Sequence, residues 1–392
     1  MNAAYLVDFA RSAFTRAHPR KPEVDAWSDT RGDVLLGRVI DALLARNAVE
    51  GDAIQDLGVG CALPVKEQWS FGGRYPLWLS RLGNGCPSRL FDQQCGSGLA
   101  ALRGTVREIQ AGAIQAGMAG GFENMSRVPM GPSLFKEGVL TVPEALQGKD
   151  DLDLSVAMNM GLTAERLARE AGISREAMDA FALRSHQRAG LAEREGWFDG
   201  ERLVLTNATD EPVERDANIR PDTSLEKLAE LDPAFLEGGR VTPGNSSPLT
   251  SGAGAALVMS EAALNRHGLA PMARVVEVVD CGVMPERMGA GAAAAIERAL
   301  AATGLGVDDI DAWEINEAFS AVPLYAIDTL GLDPERVNVF GGALALGHPL
   351  GATGIRLAGT LARTLQHQRG RYGCAAACIG GGQGIAMILE RC

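Results

Sequence analysis

The apolar positions of this chain fall into short runs and spaced stripes that occur twice, in the same order. Residues 3–14 (AAYLVDFARSAF) carry the dense apolar pattern of a strand. Leu35, Leu36, Val39, Ile40, Leu43 and Leu44 then share one face of a helix, and residues 52–60 (DAIQDLGVG) lead into a second strand. In the second half, residues 273–283 (ARVVEVVDCGV), 290–304 (AGAAAAIERALAATG) and 308–316 (DDIDAWEIN) repeat strand, helix, acidic turn and strand. Two copies of one βαβ unit are predicted, which makes the fold class α/β.

The parallel extends further along each half. Residues 91–109 (FDQQCGSGLAALRGTVREI) and 339–365 (VFGGALALGHPLGATGIRLAGTLARTL) each read as a short strand, a glycine-rich turn and a helix. Each half closes with an apolar, glycine-rich strand region, 114–126 and 373–390. Facing one another, two such halves would bring matching turns to a shared site. Residues 127–245 differ: they are more charged, with helices such as 174–196 that begin at a Ser N-cap. This gives three parts: an N-terminal half (1–126 and 246–271), an inserted loop domain covering the site (127–245) and a C-terminal half (272–392).

Composition narrows the class of function. At 392 residues the chain can bury a large core, and 46% hydrophobic with 22% charged residues is ordinary for a globular protein. The 48 glycines and few aromatics point to close packing of helices on sheets. A formal charge of -12 disfavours nucleic acid and anionic membrane as partners, so an anionic ligand must meet local positive groups. Cysteines stand at 61, 86, 95, 281, 374, 378 and 392 with no CxxC pair, so neither a metal site nor a disulfide framework is expected, and a reducing cytoplasm is. No leader and no long apolar span is recognised, so a soluble protein is expected.

Four motifs carry chemistry. Cys95 (DQQCGSGLAAL) sits where a strand gives way to a helix with inner face Leu99, Leu102, Val106 and Ile109; the positive helix end is expected to lower its pKa toward the thiolate. His348, in GGALALGHPLGATGIR, lies on a strand and rigid turn where a neutral imidazole can take a thiol proton. Cys378 opens CIGGGQG, a glycine run able to aim successive backbone N–H groups at an anion. Asn316, in NEAF, ends an apolar strand with an amide able to hold a water or an oxyanion. Each alone has an ordinary structural explanation, and His18, His186, His267 and His367 are read as ordinary polar residues.

Taken together, CGSGLAAL, NEAF, GGALALGHPLGATG and CIGGGQG, in this order and over essentially the whole chain, resemble the thiolase family. The resemblance implies the layered αβαβα thiolase fold and an acyltransferase that cleaves 3-ketoacyl-CoA with CoA or runs the reverse condensation, on CoA thioesters with no further cofactor and no metal. It implies Cys95 as the nucleophile and His348 as its activator, with Asn316 holding a water at one oxyanion site. It further implies Cys378 as the acid and base, and the N–H groups of Cys95 and Gly380 as a second oxyanion hole. For binding it points to Arg220 at the nucleotide end, Phe235 and Ser247 along the pantetheine arm, and Phe319 and Met160 at the acyl pocket. A homodimer or homotetramer and a place in fatty acid metabolism follow from the same resemblance. Two segments depart from biosynthetic members: Asn159 stands where those enzymes carry His, and residues 61–86 do not follow the usual dimer-interface sequence. A ketoacyl-synthase-type condensing enzyme would carry His in place of Asn316 and Cys378; a non-catalytic relative would have lost Cys95, His348 or Cys378.

Overall fold

The computed structural model describes residues 2–392, the Pro132 side chain excepted. The N-terminal half contains β1 (Ala4–Ser12), α1 (Gly32–Arg46), β2 (Leu57–Gly60), β3 (Ser88–Phe91), α2 (Ser97–Gln110) and β4 (Ala116–Asn124). The chain then leaves through α3 (Met160–Glu170) and α4 (Arg175–Arg194) and returns as β5 (Thr250–Ser260). The C-terminal half holds β6 (Ala273–Gly282), α5 (Gly291–Thr303), β7 (Ile310–Ile315), α6 (Ala321–Leu330), α7 (Leu350–Gln368), β8 (Tyr372–Ile379) and β9 (Gln383–Arg391).

The predicted duplication is visible in the strand order β7-β8-β9-β6-β1-β5-β4-β2-β3. Outward from β1, the N-terminal half pairs antiparallel with β5, antiparallel with β4, then parallel with β2; outward from β6, the other half pairs antiparallel with β9, antiparallel with β8, then parallel with β7. The halves join where β1 meets β6, from Ala4↔Val275 to Leu6↔Ala273.

Three apolar clusters define the layers. Leu99, Leu102, Val106 and Ile109 of α2 pack with Ile355, Leu361 and Leu365 of α7 between strand residues of both halves, such as Phe9 and Met387. On the outer face of the N-terminal half, Leu35, Leu36, Val39, Ile40 and Leu43 cover Val7, Leu57 and Leu257. On the other side Ile296, Ala299, Val322 and Ala326 cover Trp313, Ile315 and Ile388. The order is helix, sheet, helix, sheet, helix, an α/β fold of αβαβα layers. The two central helices touch backbone to backbone: a Cβ on Gly354 would lie 2.1 Å from Leu99 N, and one on Gly98 2.6 Å from Gly351 O. Glycine is therefore required where the motifs cross.

The strand regions that close the halves differ in a way that places the excursion. Residues 373–390 form a hairpin, β8 and β9, turning through residues 380–382, whereas 114–126 contains the single strand β4. Its hairpin partner β5 arrives only after residues 125–249. The charged segment thus occupies the position of a hairpin turn. Within it, Asn159 caps α3 by accepting from Leu162 N at 3.3 Å, and Ser174 caps α4 by accepting from Ala177 N at 3.1 Å. Part of the segment folds back: Arg202 and Leu203 pair with the end of β1, and buried Arg11 meets Glu201 at 2.8 Å and Asp216 at 2.7 Å.

One expected element is absent. The segment leading to His348 contains no strand: Val337 makes a single bridge to Trp313, and Ala343–Leu346 is a helical turn. The cause is Glu317. Its buried carboxylate accepts from Leu344 N at 3.1 Å, Asn338 Nδ2 at 2.8 Å and Ser185 Oγ at 2.6 Å, which winds the segment around an anion instead of along the edge of β7.

Candidate active site

The turn between β3 and α2 carries Cys95. Gln94 is held at φ 44°, a left-handed conformation that non-glycine residues rarely adopt, and a single 3-10 turn (Gln94–Gly96) delivers the thiol to the start of α2. Ser97 ties the turn together, accepting from Gln93 N at 2.9 Å and donating to Gln94 O at 2.7 Å. Gly96 lies against the opposite half, since a Cβ there would sit 2.4 Å from Ile379 Cδ1.

Burial pushes the Cys95 thiol up to about 11, against the pull of the N–H groups of Gly380 and of Cys95 itself. This overturns the expected lowering by the helix end: desolvation of a fully enclosed thiolate outweighs one helix terminus. The two N–H groups, one from each half, both lie toward the sulfur and are donors available to an anion formed beside it. Cys378 ends β8 on the other side, and its thiol is raised by burial and by the nearness of Cys95.

His348 precedes α7 and is buried. Its backbone N–H donates to Thr250 Oγ1 at 3.0 Å, and its Nδ1 lies 2.6 Å from Thr353 Oγ1. The single hydroxyl proton of Thr353 goes to Pro349 O at 2.9 Å, so the ring donates from Nδ1 and Nε2 keeps its lone pair. Asn316 Nδ2 lies 3.2 Å from that Nε2. Burial, and then the Arg356 cation, hold the imidazole down at about 3, so it is a neutral base. Asn316 Oδ1 is buried without a partner among the described residues, a free acceptor for an ordered water.

Around this centre the remaining predicted residues divide into two groups. Met160 Sδ would lie 3.3 Å from a Cβ on Gly380, which places it at the oxyanion turn. Phe319 is buried and meets Phe235 edge to face at 6.0 Å, while Phe235 is 39% exposed and packs over Gly161. Ser247 is held by its N–H to Ala318 O at 2.9 Å, beside Phe319. Arg220 lines a surface cleft with His186, Asn218, Thr223, Pro243 and Ser246. Asn218 links that cleft to the His348 turn by donating to Leu346 O at 3.4 Å.

Sequence reasoning missed several supporting groups. His186, read as an ordinary polar residue, is buried in the cleft wall, accepts from Arg220 N at 3.2 Å and is lowered to about 4 by burial and by Arg220. Thr250 and Thr353 hold both sides of His348 and carry no local pattern. Glu317, inside NEAF, and Glu123, inside an apolar strand, had one legible signal: a carboxylate amid buried positions demands donors. Among the described residues no cluster of His, Cys, Asp and Glu is arranged to hold a metal ion, and no helix is long and apolar enough to cross a membrane.

Comparison with known proteins agrees with this geometry. The thiolase N-terminal domain model matches residues 5–262 and the thiolase C-terminal domain model residues 269–391. The chain belongs to the thiolase family. This thiolase-family chain is 40% identical to a 3-ketoacyl-CoA thiolase of Shigella sonnei over 401 aligned positions, covering 100% of both proteins. It is 38% identical to the 3-ketoacyl-CoA thiolase of Saccharophagus degradans, covering 98% of this chain and 97% of that one. The structure of human mitochondrial 3-ketoacyl-CoA thiolase in complex with CoA superposes with a TM-score of 0.86 at 31% identity, over 100% of this chain and 98% of that chain. The thiolase-family fold is thereby established, and the enzyme is an acyltransferase.

Proposed function

We propose that the enzyme transfers acyl groups between carbon and coenzyme A, cleaving 3-ketoacyl-CoA with free CoA or condensing two acyl-CoA molecules, through a thioester on Cys95. The observation that carries this reading is the nearness of Cys95 to Cys378 and to the N–H groups of Gly380 and Cys95, with Leu350, two residues after the neutral His348 base, packed in the Cys95 cluster. In the cleavage direction, Cys95 Sγ attacks the 3-keto carbon and its proton passes to His348 Nε2. The oxyanion is held by the N–H groups of Cys95 and Gly380. The bond between C2 and C3 breaks, and the acetyl-CoA enolate, stabilised by His348 and a water on Asn316, takes its proton from Cys378. Free CoA then gives its thiol proton to the Cys378 thiolate and attacks the thioester; Cys95 leaves and recovers its proton from His348. Every proton is returned, and only CoA thioesters and CoA enter.

The same reading assigns Arg220 to the nucleotide end, Phe235 and Ser247 to the pantetheine arm, and Phe319 and Met160 to the acyl pocket, with the segment 127–245 as the cover between two halves. It places the enzyme in the cytoplasm. It is a homodimer in this reading: β3 is the edge of the sheet, and Trp69, Phe71 and Trp78 stand half-exposed beside it, the Ser88 hydroxyl of β3 donating to Gly72 O at 3.1 Å. An aromatic patch of this kind next to an unpaired edge suits a second copy laying its own β3 alongside.

Intact mass after incubation with acyl-CoAs and 3-ketoacyl-CoAs of increasing length tests the chemistry. An adduct mapped to Cys95, absent in Cys95→Ala and discharged by free CoA, is expected; no adduct at any length sinks the reading. The length giving fullest labelling identifies the acyl class.

A further inference from the structure

Glu123 ends β4 with its side chain buried, and the mechanism above does not use it. Its carboxylate nevertheless collects donors from three separate segments. Oε2 accepts from Ala62 N and Gly351 N, both at 3.0 Å; Oε1 accepts from Leu63 N at 3.3 Å and Gln68 Nε2 at 2.7 Å, with the Cys61 thiol at 3.7 Å. Burial raises the pKa of Glu123 and these donors pull it back; a ring of donors with no acceptor in it fits a carboxylate and not a carboxylic acid. Ala62 packs against Cys95 and Leu350 in one small cluster, and Ala62 O accepts from Gln94 Nε2 at 3.1 Å, next to the nucleophile. Gly351 is in the first turn of α7, three residues after His348. Its backbone is pressed onto the N-terminal half, since a Cβ there would lie 2.5 Å from Gly60 O and 2.4 Å from Phe122 O.

We infer that Glu123 is a positioning residue for the chemistry proposed above: its buried carboxylate pins the turn beside Cys95 to the first turn of the helix behind His348, holding nucleophile and base, which come from opposite halves, in register. The inference rests on the Cys95 reading. A helix N-terminus accepts an anion readily, so one side chain on β4 can fix the far half without any contact to substrate. The same charge faces the nucleophile and opposes its ionisation; the other groups facing it are the Cys378 thiol and the N–H groups of Gly380 and Cys95, while Asp92 lies toward Cys61. Glu123 therefore also favours the protonated thiol that His348 must deprotonate.

The test uses full-length Glu123→Gln, with Cys95→Ala as reference. Expected are a kcat lower by about tenfold to a hundredfold, as for a misplacement of order 1 Å, a KM for CoA within about threefold of the parent, and a pH midpoint for Cys95 alkylation by iodoacetamide moved to lower pH. A kcat within about threefold of the parent, or a loss of kcat with that midpoint unmoved, overturns the inference, because a purely structural defect moves no titration. If Glu123→Gln does not fold, Glu123→Asp decides: it keeps the charge and loses the reach, so an unmoved midpoint with kcat down about tenfold is expected, and parent-like kcat overturns the inference. Should the parent enzyme never acylate Cys95, the mechanism fails first. Acylation in the parent with an unimpaired Glu123→Gln removes this inference alone.

Discussion

Replacing Thr353 with Val probes the base without touching it. The hydroxyl lies 2.6 Å from His348 Nδ1 in a fully buried setting, and Val keeps the shape of Thr while removing the acceptor. Pro349 O loses one donor but still accepts from Ala352 N and Thr353 N, both at 2.9 Å, so the local fold is retained. What changes is the proton on the ring. An Nδ1–H buried without a partner is disfavoured by about 1–3 kcal/mol. The tautomer with the proton on Nε2 gains by that amount, and in it Nε2 has no lone pair for the Cys95 proton. An energy of that size corresponds to a loss of about fivefold to 150-fold in the competent fraction, and hence in kcat. Steady-state thiolysis under saturating CoA reads it directly, with Thr353→Ser, which keeps the hydroxyl, expected to stay near the parent. A Thr353→Val enzyme with kcat within about twofold of the parent would refute the tautomer argument.

Further outcomes follow from the same site. With its thiol raised to about 11, Cys95 of the free enzyme should be alkylated by iodoacetamide at a rate still climbing between roughly pH 7 and 10; a plateau below that range would mean a pre-formed thiolate. Cys378→Ala should still accept an acyl group from acyl-CoA onto Cys95 over long incubation, seen by mass, because a thiolate leaves without a general acid, yet lose thiolysis by about a hundredfold or more; no acylation at all would place Cys378 in the nucleophile's activation instead. His348 is lowered to about 3 and His186 to about 4, so below about pH 6.5 the unfolded chain binds protons that the native one refuses, and stability falls as pH drops toward 4. His186→Gln should flatten that slope in denaturant titrations at successive pH values, and an unchanged slope would count against a buried neutral His186. Phe71→Glu with Trp78→Glu should convert the proposed dimer to monomer in sedimentation at micromolar concentration; a sedimentation coefficient equal to the parent's would count against an interface here.

The duplication, the α/β class and the inner face of α2 were legible because they rest on local periodicity: Leu99, Leu102, Val106 and Ile109 are where a stripe of that spacing puts them, whereas the αβαβα layering came from the resemblance to the family. The candidate quartet Cys95, Asn316, His348 and Cys378 was picked out through its motifs together, not through any one residue. What could not be read depends on partners far along the chain. Residues 343–346 look like a strand until Glu317, Ser185 and Asn338 are seen to wind them into a turn. Nothing local marks Arg11 within the first strand, yet it is buried against Glu201 and Asp216 roughly two hundred positions away. Cys95 reads as an activated thiol from its helix end; the enclosure that reverses this comes from residues distant in sequence, Ala17, Met125 and Leu350 among them.

That reversal bears on why two thiols share the site. Both are buried, and a charge on Cys95 opposes ionisation of Cys378, so the pocket disfavours two negative sulfurs at once. In the proposed mechanism neither needs a charge at rest, since His348 removes the Cys95 proton only as the sulfur attacks. Once Cys95 becomes a neutral thioester, the repulsion that holds the Cys378 proton in place is gone. Cys378 is then free to give that proton to the enolate and to carry the single negative charge until CoA arrives. The order of the two half-reactions is thereby written into the electrostatics: the acid becomes competent only after the nucleophile has been used.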